Sequence, residues 1–143
     1  MRVLVTMKSN HESEAGRLPS RALMARMGFY NEELEREGIL LSGEGIRPSS
    51  EGARVTFAGD RRTVTDGPFA ETKELIAGYW LWHVGSMDEA IAWVKRCPFP
   101  EEGEHVVEIR PVYEAEDFGD AFSPEARERE GVVPGDLTDG ITA

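Results

Sequence analysis

The chain has 143 residues, with 16 lysines and arginines against 27 aspartates and glutamates, a formal charge of −11 and a pI near 4.7. That length suits one domain, and 40% apolar with 30% charged residues describes a globular chain able to bury one core. The acidic balance argues against a nucleic-acid surface, which needs clustered Lys and Arg. The single cysteine, Cys97, excludes an intrachain disulfide and any multi-cysteine metal site, and no apolar run approaches the roughly 18–20 residues of a membrane span.

Val3, Val5 and Met7 alternate with Leu4 and Thr6, which predicts a first strand. The short apolar start then turns polar, unlike a secretory leader, so a cytoplasmic location is expected. His11, Glu12 and Glu14 read as a polar, solvated loop. Pro19 and Ser20 open a helix whose Leu23, Met27, Tyr30 and Leu34 line one face, and Gly38 stops it. Ile39-Leu40-Leu41 predicts a short strand. Two glycines and a proline make Gly43–Ser50 a loop. Val55 and Phe57 before Gly59-Asp60, with Thr63 and Val64 after it, predict a β-hairpin.

Tyr79–Val84 is an aromatic, central strand whose Trp80 and Trp82 share one face, toward helices or a partner subunit. Ser86 and Glu89 frame a capping box for a helix through Ala90, Ile91 and Val94, ended by Cys97-Pro98. His105–Val112 closes the sheet. The resulting order, β-α-β-hairpin-β-α-β, predicts an α+β ferredoxin-like βαββαβ fold with an inserted hairpin. Helices on one face leave the other to be covered. The expected cover is a second copy, as a homodimer with sheets face to face and a ligand cavity between sheet and loops. Residues 1–112 read as the domain. Residues 113–143, with nine acids against two bases, read as an acidic extension, helical near Ser123–Glu128 and frayed from Val133 onward.

Asp66 ends the hairpin's second strand and enters a Gly-Pro turn, so its carboxylate sits at the rim of the sheet. Partly buried, it would serve as a general base; alternatively it bonds its own backbone as an Asx-turn. Phe69 stacks on a planar ligand or joins the core. Glu44, Arg47, Ser49 and Ser50 put a base, an anion partner and two hydroxyls within eight residues. Arg47 suits a substrate carboxylate, although the same loop needs its glycines without any ligand. Lys73 is a second anion holder, or part of a solvated rim with Glu71 and Glu74.

The string Asp66-Gly67-Pro68-Phe69 resembles the DGPF signature of the YCII-related family. Met27–Leu34, Gly43-Glu44-Gly45 with Pro48-Ser49-Ser50, and Glu108–Val112 are similar to that family as well. The resemblance implies a small ferredoxin-like protein that associates as a dimeric α/β barrel. It also implies kinship with small lyases and dehydrohalogenases acting on cyclic or lactone acids, an Asp in the pocket, and in some members gene proximity to sigma factors. Where the family pattern would place a histidine, this chain has Arg47.

The three histidines match no metal spacing, Cys97 at a helix C-terminus makes a poor nucleophile, and no phosphate-binding glycine motif or serine elbow is present. The expectation is therefore a lyase- or isomerase-type enzyme without cofactor or metal, acting on a small anionic cyclic or lactone molecule. Asp66 is its base, and Glu44, Arg47, Ser49, Ser50, Phe69 and Lys73 contact the substrate. The alternatives are a non-catalytic ligand- or protein-binding module linked to sigma-factor regulation, and a purely structural dimer.

Overall fold

The computed structural model describes residues 1–121 and 123–130. The elements are β1 (Arg2–Lys8), α1 (His11–Glu14), α2 (Arg21–Arg36), β2 (Leu40–Gly45), β3 (Ala53–Ala58), β4 (Arg61–Asp66), β5 (Ile76–His83), α3 (Met87–Val94), β6 (Val107–Pro111) and α4 (Pro124–Glu130), with 3₁₀ turns at Ser49–Glu51, Thr72–Glu74 and Ala115–Ala121. An antiparallel sheet of order β2-β5-β1-β6 forms the body, and β3 pairs only with β4. None of the described helices is long and apolar enough to cross a membrane.

Strand alternation decides the two faces of the sheet. Val3 and Val5 of β1 and Trp80 and Trp82 of β5 are buried, and with Tyr30 and Leu34 of α2 and Ala90 of α3 they form the core. Both helices therefore lie on one face, and the tryptophans point to them. The indole of Trp80 donates to Asn31 Oδ1 at 3.1 Å and stacks on Trp82 at 5.5 Å. The opposite face carries Leu4, Thr6, Tyr79 and Leu81, which are exposed or half-buried, and the Lys8–Glu108 ion pair. That pair holds the Glu108 carboxyl below its ordinary range.

Local signals set the element ends. Ser20 caps α2 by accepting from Leu23 N–H, and Gly38, at φ +73°, ends it. Ser86 caps α3, while the Glu89 carboxylate takes the N–H of Gly85 rather than that of Ser86. Ser123 accepts from Ala126 N–H at the start of α4, and the segment expected to fray from Val133 lies outside the described residues.

The structure departs from the sequence expectations at two segments. Gly43, Glu44 and Gly45 belong to strand β2, not to a loop. Gly43 is glycine because a Cβ there would overlap the Trp80 ring, so the residue serves close strand packing rather than a turn. Residues 11–14 are not a solvated loop but a one-turn helix. Asn10 Oδ1 accepts from Ser13 N–H and Ser13 Oγ from Asn10 N–H, each at 2.9 Å.

Candidate functional site

Asp66 is the last residue of β4 and lies opposite Ala53. Alternation puts its side chain on the hairpin face shared by Val55, Val64, Phe57 and Arg62, with Arg54, Thr56, Thr63 and Thr65 on the other. The chain then turns through a cis Gly67–Pro68 peptide.

The turn is fixed from below. Gly67 N–H donates to the Gly52 carbonyl at 3.0 Å, and a Cβ on Gly67 would overlap the Ser49 carbonyl, so the two segments touch through backbone. Phe69 N–H donates to Ser49 Oγ at 3.0 Å. Ser49 in turn gives both its donors to one carboxylate, Oγ–H to Glu14 Oε2 at 2.5 Å and N–H to Glu14 Oε1 at 3.0 Å. Charge-assisted hydrogen bonds of this kind are about twice as strong as neutral ones. On the polar face of the hairpin, the Arg54 guanidinium lies 3.8 Å from the centroid of the Phe69 ring. Glu14, Ser49, Arg54 and Phe69 thus form one cluster, spanning α1, the 3₁₀ turn at Ser49–Glu51, β3 and the Gly-Pro turn.

The predicted site residues divide around this cluster. Ser49 and Phe69 are inside it. The Asp66 carboxylate is exposed and makes no hydrogen bond or ion pair among the described residues, so the bond to its own turn that would make an Asx-turn is not formed. Arg47 is 83% exposed and pairs with Glu51 at 2.9 Å, one turn along the chain. Glu44 sits on β2 opposite Tyr79, exposed; Ser50 and Lys73 are exposed in their 3₁₀ turns. No hydrogen bond or ion pair among the described residues joins Glu44, Arg47, Ser50 or Lys73 to the cluster. Two members were not anticipated. The capping pattern of Asn10 and Ser13 is the sequence signal for Glu14, and the period-2 pattern of the hairpin is the signal for Arg54.

A groove of about 560 Å³ opens instead between α2 and the segment after α3, lined by Phe29, Tyr30, Arg96, Cys97 and Phe99 among others. None of the predicted site residues lines it. Its groups are largely committed. Tyr30 O–H donates to the Trp93 carbonyl at 2.6 Å, and burial pushes its pKa upward. The Arg96–Glu33 hydrogen bond, at 2.5 Å, holds Glu33 below the usual carboxylate range. Burial pushes the Cys97 thiol up to about 12. Because the thiolate is the reactive form, Cys97 in the folded protein is expected to react with DTNB at pH 8 at least about tenfold more slowly than in guanidinium. Equal rates in the two conditions would show an accessible, ionised thiol.

The profile of the YCII-related domain matches residues 1–116. Among solved structures, the chain is similar to the 5-chloro-2-hydroxyhydroquinone dehydrochlorinase TftG from Burkholderia phenoliruptrix AC1100, in its complex with 2,5-dihydroxybenzoquinone. The identity is 17% and the TM-score 0.47, over 82% of this chain and 98% of that one. No curated protein matches the chain.

Proposed function

The chain belongs to the YCII-related domain family, and on that footing we propose that it is a small-molecule enzyme of lyase or isomerase type, working without a cofactor on a small anionic cyclic or lactone substrate. Asp66 is the general base. The observation that carries this reading is the contrast between Asp66 and the turn that bears it. The turn is pinned through Ser49, while the carboxylate itself has no hydrogen-bond or ion-pair partner among the described residues. A base that must take a proton from carbon needs a fixed position and an unoccupied lone pair. Asp66 has both.

Arg47 or Lys73 holds the anionic group of the substrate, with Glu44 and Ser50 at the rim. Phe69 presents a ring already polarised by Arg54. Ser49, with its hydroxyl engaged on both sides, acts through the turn that it positions. Within the family, the string Asp66–Phe69 supports a place in the DGPF subgroup. The order β2-β5-β1-β6 supports a ferredoxin-like unit over residues 1–112, with β3–β4 inserted and residues 113–143 as an acidic extension. The face carrying Leu4 and Leu81 supports a homodimer with sheets facing, as a dimeric α/β barrel, and the location we propose for it is the cytoplasm.

A second reading, a non-catalytic ligand- or protein-binding module, is favoured by the exposure of Asp66. A general base works shielded from bulk water, and a single chain leaves this carboxylate exposed.

A thermal-shift screen against small carboxylates, lactones and cyclic diketones separates the two. A ligand at about 100 times its Kd adds roughly 2.7 kcal/mol, which raises the midpoint by several degrees. We expect such a shift in the wild type and its loss in Asp66→Asn. A shift of equal size in the variant would remove Asp66 from the site.

A further inference from the structure

Among the described residues three arginines lie over aromatic rings, and they differ in what their guanidinium groups have left to give. Arg62 lies 4.5 Å from the Phe57 centroid and donates its Nη1 to the carbonyls of Gly59 and Arg61, at 2.8 and 2.9 Å. Arg96 lies 4.5 Å from the Trp93 centroid and is tied to Glu33. Arg54 lies 3.8 Å from the Phe69 centroid and makes no hydrogen bond or ion pair among the described residues. It is held by its flat face, and its N–H edges are left free.

A fork held in this way suits an anion. A loose arginine loses rotamer freedom when it takes a ligand, whereas Arg54 has given up part of that freedom to the ring already. The ring is itself fixed, since Phe69 N–H donates to Ser49 Oγ at 3.0 Å and Ser49 is tied to Glu14. Thr65 lies directly across from Arg54, and Thr56 and Thr63 form the next rung on that face of the hairpin. The Thr65 hydroxyl therefore stands beside whatever the guanidinium holds. One fork carries one positive charge and two parallel donors, the complement of a carboxylate; a phosphate dianion calls for a second cation or a row of backbone N–H groups. Asp66, in the neighbouring rung, faces the other way, so an anion at Arg54 is not set against that carboxylate. Arg47, 83% exposed and engaged by Glu51, and Lys73, an exposed point charge, lack this arrangement.

We propose that Arg54, stacked on Phe69 and flanked by Thr65, is the residue that selects a carboxylate-bearing ligand. Its fork takes both oxygens of one carboxylate, while Arg47 or Lys73 adds charge from the solvent side. That this carboxylate belongs to a substrate rests on the reading of Asp66 given above; the carboxylate subsite does not.

Benzoate and benzamide share a planar ring and differ in charge. Titrating each into the labelled full chain, read at the side-chain Nε–H of Arg54 and the amides of Thr65 and Phe69, tests the subsite. Benzoate is expected to bind at least about tenfold more tightly than benzamide, since paired bonds to a charged group are gained. Arg54→Gln is expected to erase that preference with the Phe69 amide still protected from exchange, and Arg54→Lys, charged but without the fork, to recover only part of it. Arg47→Gln and Lys73→Gln are expected to weaken benzoate by no more than about threefold. A preference that survives Arg54→Gln, or that is lost equally in Arg47→Gln or Lys73→Gln, would overturn the assignment. So would a wild-type chain in which benzoate leaves the Arg54 Nε–H unmoved. Full recovery in Arg54→Lys would overturn the role of the fork, and phenyl phosphate bound more tightly than benzoate would overturn the choice of a carboxylate. Benzoate has no acidic C–H for a base to attack, so the two readings fail separately. A benzoate response at Arg54, beside lactone and diketone thermal shifts that Asp66→Asn leaves unchanged, would remove the base and keep the subsite.

Discussion

Trp82→Ala is expected to destabilise the protein by about 3–5 kcal/mol, the range for emptying a large aromatic from a core. Trp82 has no solvent exposure, pairs with Val3 on one side and Leu40 on the other, and stacks on Trp80. Domains of this size are stable by only about 5–15 kcal/mol, so the variant should be near the edge of folding. The chemistry of the indole refines the expectation. Trp82 Nε1 is buried and has no hydrogen-bond partner among the described residues. Trp82→Phe therefore loses size but no hydrogen bond, and should recover more than half of the loss. Urea unfolding at unchanged m-value reads both. Equal losses in the two variants would mean that the N–H is bonded after all.

Ser49→Ala is the second large effect, and it is local. The substitution deletes the acceptor for Phe69 N–H and the hydroxyl donor to the Glu14 carboxylate, leaving both part-buried groups short of a partner. Hydrogen bonds to charged groups contribute about 1.5–3 kcal/mol each, and orphaned buried partners cost a similar amount. The opening free energy at the Gly-Pro turn should fall by about 2–3 kcal/mol, read as faster amide exchange at Phe69 while Val5 and Trp82 stay protected. Glu14→Gln should cost less, because an amide oxygen still accepts one of the two bonds from Ser49. Exchange that rises uniformly through the chain would contradict a local anchor.

These two sites also mark how far the sequence could be read. The core around Trp82 was legible because it is periodic. Val3 and Val5 alternate, the Leu23–Leu34 face of α2 recurs at helical spacing and does bury Tyr30 and Leu34, and Trp80 and Trp82 fall two apart. The hairpin was legible from its Gly59-Asp60 turn, and the helix starts from Ser20 and Ser86. Gly43 misled because its glycine answers a partner distant in sequence, the Trp80 ring, rather than the local need for a turn. Loop and close strand contact ask for the same residue.

The anchor beneath Asp66 was hidden for a related reason. Asn10 and Ser13 announce a helical turn locally, but nothing local says that Glu14 meets Ser49 35 positions later. Ser49 itself was identified for its hydroxyl and proves to be a brace. Arg47, chosen as a fork for a carboxylate, points to Glu51 and solvent, where a surface pair contributes little. Residue type was a sound guide to what the segment could do, whereas which of its members converge is set by tertiary contacts.

On the proposed function, small molecules bind at Asp66 and not elsewhere on this fold. The most direct test is backbone chemical-shift mapping of the labelled protein during titration with the strongest binder of the carboxylate and lactone panel. Perturbations are expected to concentrate at Asp66, Gly67, Phe69 and the base of the hairpin, and to be absent in Asp66→Asn. Perturbations centred on Phe29, Cys97 and Phe99 in the groove beside α2 would contradict it.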